Sequence, residues 1–191
     1  MTTRPEVSDL IAGLNEDLSN EYSSVIQYRT FASVVRGSSR LTLRAFFSGE
    51  IADELSHAEL LADAIAALGG TPTVSAASFT VPSDPEGMLR AALAAEEAAI
   101  ERYVTRRAQA DAVGEHGLAV AIDAVIEDET RHRNELRLVL ADTARGSRES
   151  ERPRNVAREG GVARGTSSSR RQPALDDMAA SGRHGEPPSV A

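Results

Sequence analysis

Four times within its first 144 residues, the chain sets a glutamate into the apolar stripe of a segment with helical period. Glu21 shares a face with Leu14, Leu18, Val25 and Tyr28, and Glu54 with Phe47, Ile51, Ala58 and Leu61. Glu96 lies with Leu89, Leu93, Ile100 and Tyr103, and Glu129 with Ile122, Val125, Ile126 and Leu136. Burying a single unpaired carboxylate costs several kcal/mol, and four in one core would be prohibitive without counter-ions. Lysine is absent from the sequence, and the arginines mostly fall on other faces. Divalent cations are the natural compensation. Carboxylate oxygen and imidazole nitrogen suit iron, manganese or zinc.

The spacing sharpens this expectation. His57 follows Glu54 by three residues, as His132 follows Glu129. Residues at i and i+3 project from one side of a helix, so each pair can reach a common point. The interval from Glu21 to Glu54 is 33 residues, and so is that from Glu96 to Glu129. Each half of the chain thus carries a glutamate on one helix and Glu-x-x-His on the next. A single Glu-x-x-His arises readily by chance, but two copies at matched offsets on apolar stripes do not. The six residues Glu21, Glu54, His57, Glu96, Glu129 and His132 are the predicted ligands of a two-metal site. Glu97 shares its face with Arg90 and Glu101 and reads as a surface residue. Glu50, Asp53 and Glu135 flank the motifs as solvated or supporting carboxylates. His116, at a helix start, and His184 have no ligand-like company.

The same periodicity predicts four helices and an all-α fold. The first spans about Pro5 to Arg36 and ends at Gly37; the second follows Ser38 and Ser39, either a candidate cap, and stops at Gly69-Gly70. The third opens at Ser83-Asp84-Pro85-Glu86, where Asp84 can cap and Pro85 can take the first turn, and ends near Val113-Gly114. The fourth runs from about Gly117 to Ala144. Residues 69–83, rich in proline, serine and threonine, make a connection long enough to carry the chain along a bundle. Two helical hairpins joined by one long crossover form a four-helix bundle, expected over residues 1–145. Residues 146–191, rich in arginine, glycine and serine, hold too few apolar groups to offset ordering entropy, which predicts a disordered tail or a docking peptide.

Charge and composition limit what such a bundle can do. Residues 145–191 hold nine of the 21 basic residues and six of the 29 acidic ones, so the body is far more acidic than the net charge of −8 suggests. An acidic body argues against tight nucleic-acid binding, which requires cationic surface. With no cysteine, thiolate metal sites, disulfides and thiol catalysis are excluded. No secretory pattern opens the chain and no run approaches the ~20 apolar residues of a membrane span. The expected location is cytoplasmic.

The motifs resemble those of bacterioferritins and, more broadly, of the ferritin-like di-iron superfamily, over about residues 5–144. LNEDLSNEYSSVIQY resembles the first-helix signature, which implies Glu21 as a terminal ligand. EIADELSHAELL resembles the second, implying Glu54 as a bridging carboxylate and His57 as terminal. MLRAALAAE resembles the third and favours Glu96 over Glu97; IEDETRH resembles the fourth, with Glu129 bridging and His132 terminal. The resemblance implies a ferritin-like bundle, two iron ions per chain (manganese suits the same donors) and oxidation of Fe(II) by oxygen or peroxide. It further implies a homo-oligomer, either a dimer or a hollow storage shell. Tyr28 resembles the near-site tyrosine of the family, as a hydrogen-bond or electron donor; a core tyrosine with a satisfied hydroxyl is the other reading.

Two departures matter. Haem-binding bacterioferritins place a methionine directly after the second-helix bridging glutamate, where this chain has Leu55, so no haem is expected. The tail stands where the family carries a short fifth helix, which puts a full shell in question. Rival readings share the fold: a rubrerythrin-like or other di-iron peroxidase or oxidase without storage, a miniature DNA-protecting ferritin, and a metal-free helical module.

Overall fold

The stripes read from the sequence form four helices: α1 (Pro5–Val34), α2 (Arg40–Ala67), α3 (Pro85–Val113) and α4 (His116–Ser150). These come from a computed structural model that describes residues 5–150. Among the described residues there is no strand, and no helix is long and apolar enough to cross a membrane. The architecture is all-α, a four-helix bundle of the kind the resemblance implies.

Local chemistry explains most of the boundaries. Gly37, Gly69 and Gly114 adopt φ of 88°, 78° and 90°, a left-handed conformation that glycine takes without a Cβ penalty. At the end of α2, Gly70 N–H donates to Ile65 O at 2.9 Å; at the end of α3, Glu115 N–H donates to Ala110 O at 2.9 Å. Both bonds satisfy carbonyls that the helix leaves free. Asp84 caps α3 as expected, its Oδ1 accepting from Gly87 N–H at 2.8 Å, with Pro85 in the first turn.

Other boundaries differ from expectation. Ser39 holds the N-cap position of α2, but its hydroxyl makes no capping bond, and α1 stops two residues before Arg36. α4 begins at His116 and continues through Gly146 to Ser150, beyond the expected stop at Ala144. A lone glycine costs a helix only about 1 kcal/mol, which the flanking helix formers tolerate. The boundary drawn between a body and a tail at residue 145 therefore falls inside a helix. Of the expected disordered tail, residues 151–191 lie outside the described residues, as does His184.

α1 packs along α2, α3 along α4, and α1 also lies against α3. The segment after α2 travels along α1: Thr73 N–H donates to Asn15 Oδ1 at 2.7 Å, and Ala77 N–H donates to Ser19 O at 2.8 Å. Further on, Phe79 meets the edge of Phe31 with ring centroids 6.4 Å apart. This crossover returns the chain to the end of the bundle from which α2 started, so α3 runs antiparallel to α1.

The core is split in two. One apolar cluster gathers Leu10, Leu14 and Leu18 with Leu61, Ile65 and Ile122; the other gathers Phe31, Phe47, Leu89 and Leu136. Each fully buried leucine stabilises the fold by roughly 2 kcal/mol. Between the clusters, at one level on all four helices, lie Glu21, Glu54, Glu96 and Glu129, each at most 2% exposed.

Candidate metal centre

Each helix delivers its glutamate to this layer because the residues around it on the same stripe are anchored in the two apolar clusters. His57 and His132 enter from α2 and α4 and are also buried. Donor atoms of Glu21, Glu54, His57 and Glu129 all lie within 4.8 Å of one another, as do those of Glu54, Glu96, Glu129 and His132. The six sequence-predicted residues thus fall into two overlapping groups of four, with Glu54 and Glu129 common to both.

The imidazoles are turned so that Nδ1 faces the carboxylates. His57 Nδ1 lies 3.1 Å from Glu129 Oε1, and His132 Nδ1 lies 3.6 Å from Glu129 Oε2. The outer nitrogens meet a second set of acids: His132 Nε2 is 3.2 Å from Asp53 Oδ2, and His57 Nε2 is 3.7 Å from Asp128 Oδ2. Glu50, buried on α2, also brings Oε2 to 3.2 Å from His132 Nε2. A carboxylate behind an imidazole fixes ring orientation and strengthens the inner nitrogen as a ligand.

Two tyrosines tie the halves together. Tyr28 on α1 donates its hydroxyl to Glu96 Oε1 on α3, and Tyr103 on α3 donates to Glu21 Oε1 on α1 at 2.6 Å. The interval of 75 residues between Glu21 and Glu96 also separates Tyr28 from Tyr103, Asp53 from Asp128, Glu54 from Glu129 and His57 from His132. The duplication therefore reaches past the six predicted ligands. Tyr103 and Asp128 escaped the sequence reading as supporting groups, yet the same offset applied to Tyr28 and Asp53 would have found both.

The orphaned atoms at this level are informative. Glu21 Oε2, Glu54 Oε1, both Glu129 oxygens and Nδ1 of His57 and His132 are buried without a hydrogen-bond partner. Asp17, one turn before Glu21, shows how the chain treats a buried acid elsewhere. Its Oδ2 is 2.7 Å from Arg106 Nε, and its Oδ1 is 3.4 Å from Arg102 Nε. Among the described residues no arginine pairs with Glu21, Glu54, Glu96 or Glu129. Four carboxylates, two inward imidazoles and no side-chain cation beyond them make a donor set that fits divalent metal ions.

Protonation follows the same crowding. Burial, with repulsion from Glu21, Glu96 and Glu129, pushes Glu54 well above the usual carboxylate range. Burial and the neighbouring Glu129 carboxylate do the same to Glu96. Burial works against a charged His57, but the carboxylates of Glu129 and Glu21, 3.1 and 3.8 Å from its Nδ1, outweigh it and raise the imidazole to about 10. Burial would raise Glu129, but the neighbouring Glu96 and the imidazoles of His132 and His57 overcome it and hold Glu129 below the usual range. Without metal, protons take the positions that cations would take.

The flanking residues sort by position. Glu97 is half-exposed and pairs with Arg137 at 2.5 Å. Glu135 is exposed, and His116, also exposed, meets Asp111 at 2.7 Å.

A family model for the ferritin-like domain matches residues 11–146. Comparison with curated proteins finds no match. Among solved structures, a ferritin-like, diiron-carboxylate protein of Bacillus anthracis shares 42% identity over 72% of this chain and 99% of its own, with a TM-score of 0.71. A dodecameric thioferritin, the bacterioferritin-related protein of Bacteroides fragilis, shares 27% identity over 75% and 90% of the two chains, with a TM-score of 0.68. A bacterioferritin of Rhodobacter capsulatus, 22% identical over 72% and 87%, shares the fold at a TM-score of 0.64. The helical layout, the repeated acid-and-imidazole layer and these matches converge: the chain belongs to the ferritin-like domain family.

Proposed function

We propose that the chain binds two iron ions in this layer and oxidises Fe(II) with oxygen or peroxide, as a ferroxidase. The observation that carries the reading is the pair of overlapping donor groups that share Glu54 and Glu129. Glu21 and His57 would hold one ion, Glu96 and His132 the other, and the two shared carboxylates would bridge them. Carboxylate-rich coordination favours Fe(III) over Fe(II), which lowers the barrier to losing an electron. Each Fe(II) gives up one electron; oxygen takes the two with two protons and leaves as hydrogen peroxide, or peroxide takes them and leaves as water. Tyr28 acts at the centre as a hydrogen-bond donor that holds Glu96 in place.

The use we propose is iron storage or detoxification by a cytoplasmic homo-oligomer; the ferritin-like, diiron-carboxylate relative supports iron handling in general. The dodecameric relative from Bacteroides fragilis makes a shell the natural form to test, by mass measurement in solution. Leu55 offers iron no ligand atom, so haem is no part of the proposal. Manganese remains a competing occupant of the same donors.

Replacing Glu54 or His57 with alanine should abolish rapid Fe(II) oxidation, followed by absorbance of the ferric product, while circular dichroism stays helical. Oxidation at the wild-type rate in either variant would sink the proposal.

A further inference from the structure

The acids behind the two histidines repeat at the 75-residue interval, but the cation between them does not. Arg131 on α4 stands where the first half of the chain has Ser56. Its Nη2 reaches Asp128 Oδ1 at 2.8 Å and Asp53 Oδ2 at 3.3 Å. Asp128 and Asp53 are in turn the groups facing Nε2 of His57 and His132. One guanidinium therefore joins, across α2 and α4, the two carboxylates that back both imidazoles.

Both aspartates are partly exposed, and among the described residues no other cation reaches Asp53 or Asp128 apart from the imidazoles themselves. Released from Arg131, two like charges on neighbouring helices would repel and turn toward water. Each imidazole would then lose the carboxylate that faces its outer nitrogen, a hydrogen-bond partner for His132 and a charge partner at 3.7 Å for His57. Glu50 gives His132 a second outer carboxylate at 3.2 Å, whereas among the described residues His57 meets Asp128 alone on that side. A ligand held in orientation before metal arrives loses less freedom on binding, and so binds more tightly.

We propose that Arg131 is a positioning residue for both histidines at once, acting through Asp128 on His57 and through Asp53 on His132. The inference rests on the metal-binding reading above. It predicts an asymmetry that the repeat alone does not: the ion held by His57 depends on Arg131 more than the ion held by His132.

The test is titration of the metal-free full chain with Co(II), followed by the visible absorption of the bound ion. Asp128→Asn and Asp53→Asn identify the two sites, each weakening one ion by about tenfold, the lower end of the usual effect of removing such a partner. Arg131→Gln should weaken the His57 ion by about fivefold and the His132 ion by about two- to threefold, in keeping with partly exposed charge pairs. In the Asp128→Asn background, adding Arg131→Gln should cause no further loss at the His57 ion. Arg131→Lys, whose single charged nitrogen can approach both carboxylates as Nη2 does, should recover more of the affinity than Arg131→Gln retains. Two-ion uptake unchanged by Arg131→Gln would overturn this inference alone, as would a loss that persists in full in the Asp128→Asn background. No Co(II) uptake by the wild type would overturn the metal reading and this inference with it.

Discussion

Gly13 on α1 exists for the sake of an arginine two helices away in sequence. A Cβ at Gly13 would stand 1.6 Å from Arg106 Nη1 and 1.9 Å from Arg106 Cζ, so Gly13→Ala must displace the guanidinium. That group is the far end of a flexible side chain, and moving it would cost little if it lay in water. Here it is only 5% exposed, and its Nε donates to Asp17 Oδ2 at 2.7 Å. Nη1 also donates to Gln109, which pins the same fork. Displacement forfeits a charge-assisted bond worth about 1.5–3 kcal/mol and leaves Asp17, which is fully buried, with Arg102 alone. Alanine returns about 1 kcal/mol of helix propensity. The net expectation is a loss of about 0.5–2 kcal/mol, or ~1–8 °C in Tm for a chain of this size. Urea unfolding of the metal-free protein, followed by circular dichroism, measures it. In an Arg106→Met background the obstruction is gone, and Gly13→Ala should become neutral or stabilising by up to ~1 kcal/mol. Gly13→Ala that stabilises the wild-type chain, or that destabilises both backgrounds equally, would refute the reasoning.

Two further outcomes follow from the centre. The carboxylates that raise His57 to about 10 contribute stability in full below its unfolded value of 6.5, and that contribution is lost as pH rises through about 10. Glu54 and Glu96, raised by burial, act in the same direction, since ionising them costs the folded state. The metal-free protein should therefore lose stability from pH 6.5 to pH 10, by up to ~1.4 kcal/mol per pH unit for each proton involved; a flat or rising Tm would contradict the crowding described. Tyr103→Phe should destabilise the metal-free chain by about 1–3 kcal/mol, because Glu21 loses a bond to a buried hydroxyl. Tyr28→Phe should match it through Glu96, and a clear inequality in denaturant melts would show that the two halves are not equivalent supports.

Much of this was legible from residue order. Helical period, the three glycines of positive φ and the Asp84-Pro85 start located four helices to within a few residues. α4 was the main exception, since it runs through Gly146 to Ser150, and glycine stops a helix only where the backbone turns left-handed. The six candidate ligands were visible because a carboxylate on an apolar stripe conflicts with its surroundings, and the matched interval of 33 residues repeated the conflict. Asp17 carries no such signal. It sits on α1 like any polar residue, and its burial is set by Arg106, 89 residues away on α3.

The sequence by itself determined the helices, the doubled acid-and-imidazole pattern and the absence of a thiol site, because period, spacing and residue chemistry are local properties of the chain. Only the tertiary structure decided how the halves meet. The antiparallel course of α1 and α3 makes each tyrosine serve the carboxylate of the other half, and the approach of α2 to α4 lets Arg131 join Asp53 to Asp128. Such cross-half contacts depend on where helices distant in sequence come to rest, and packing alone sets that.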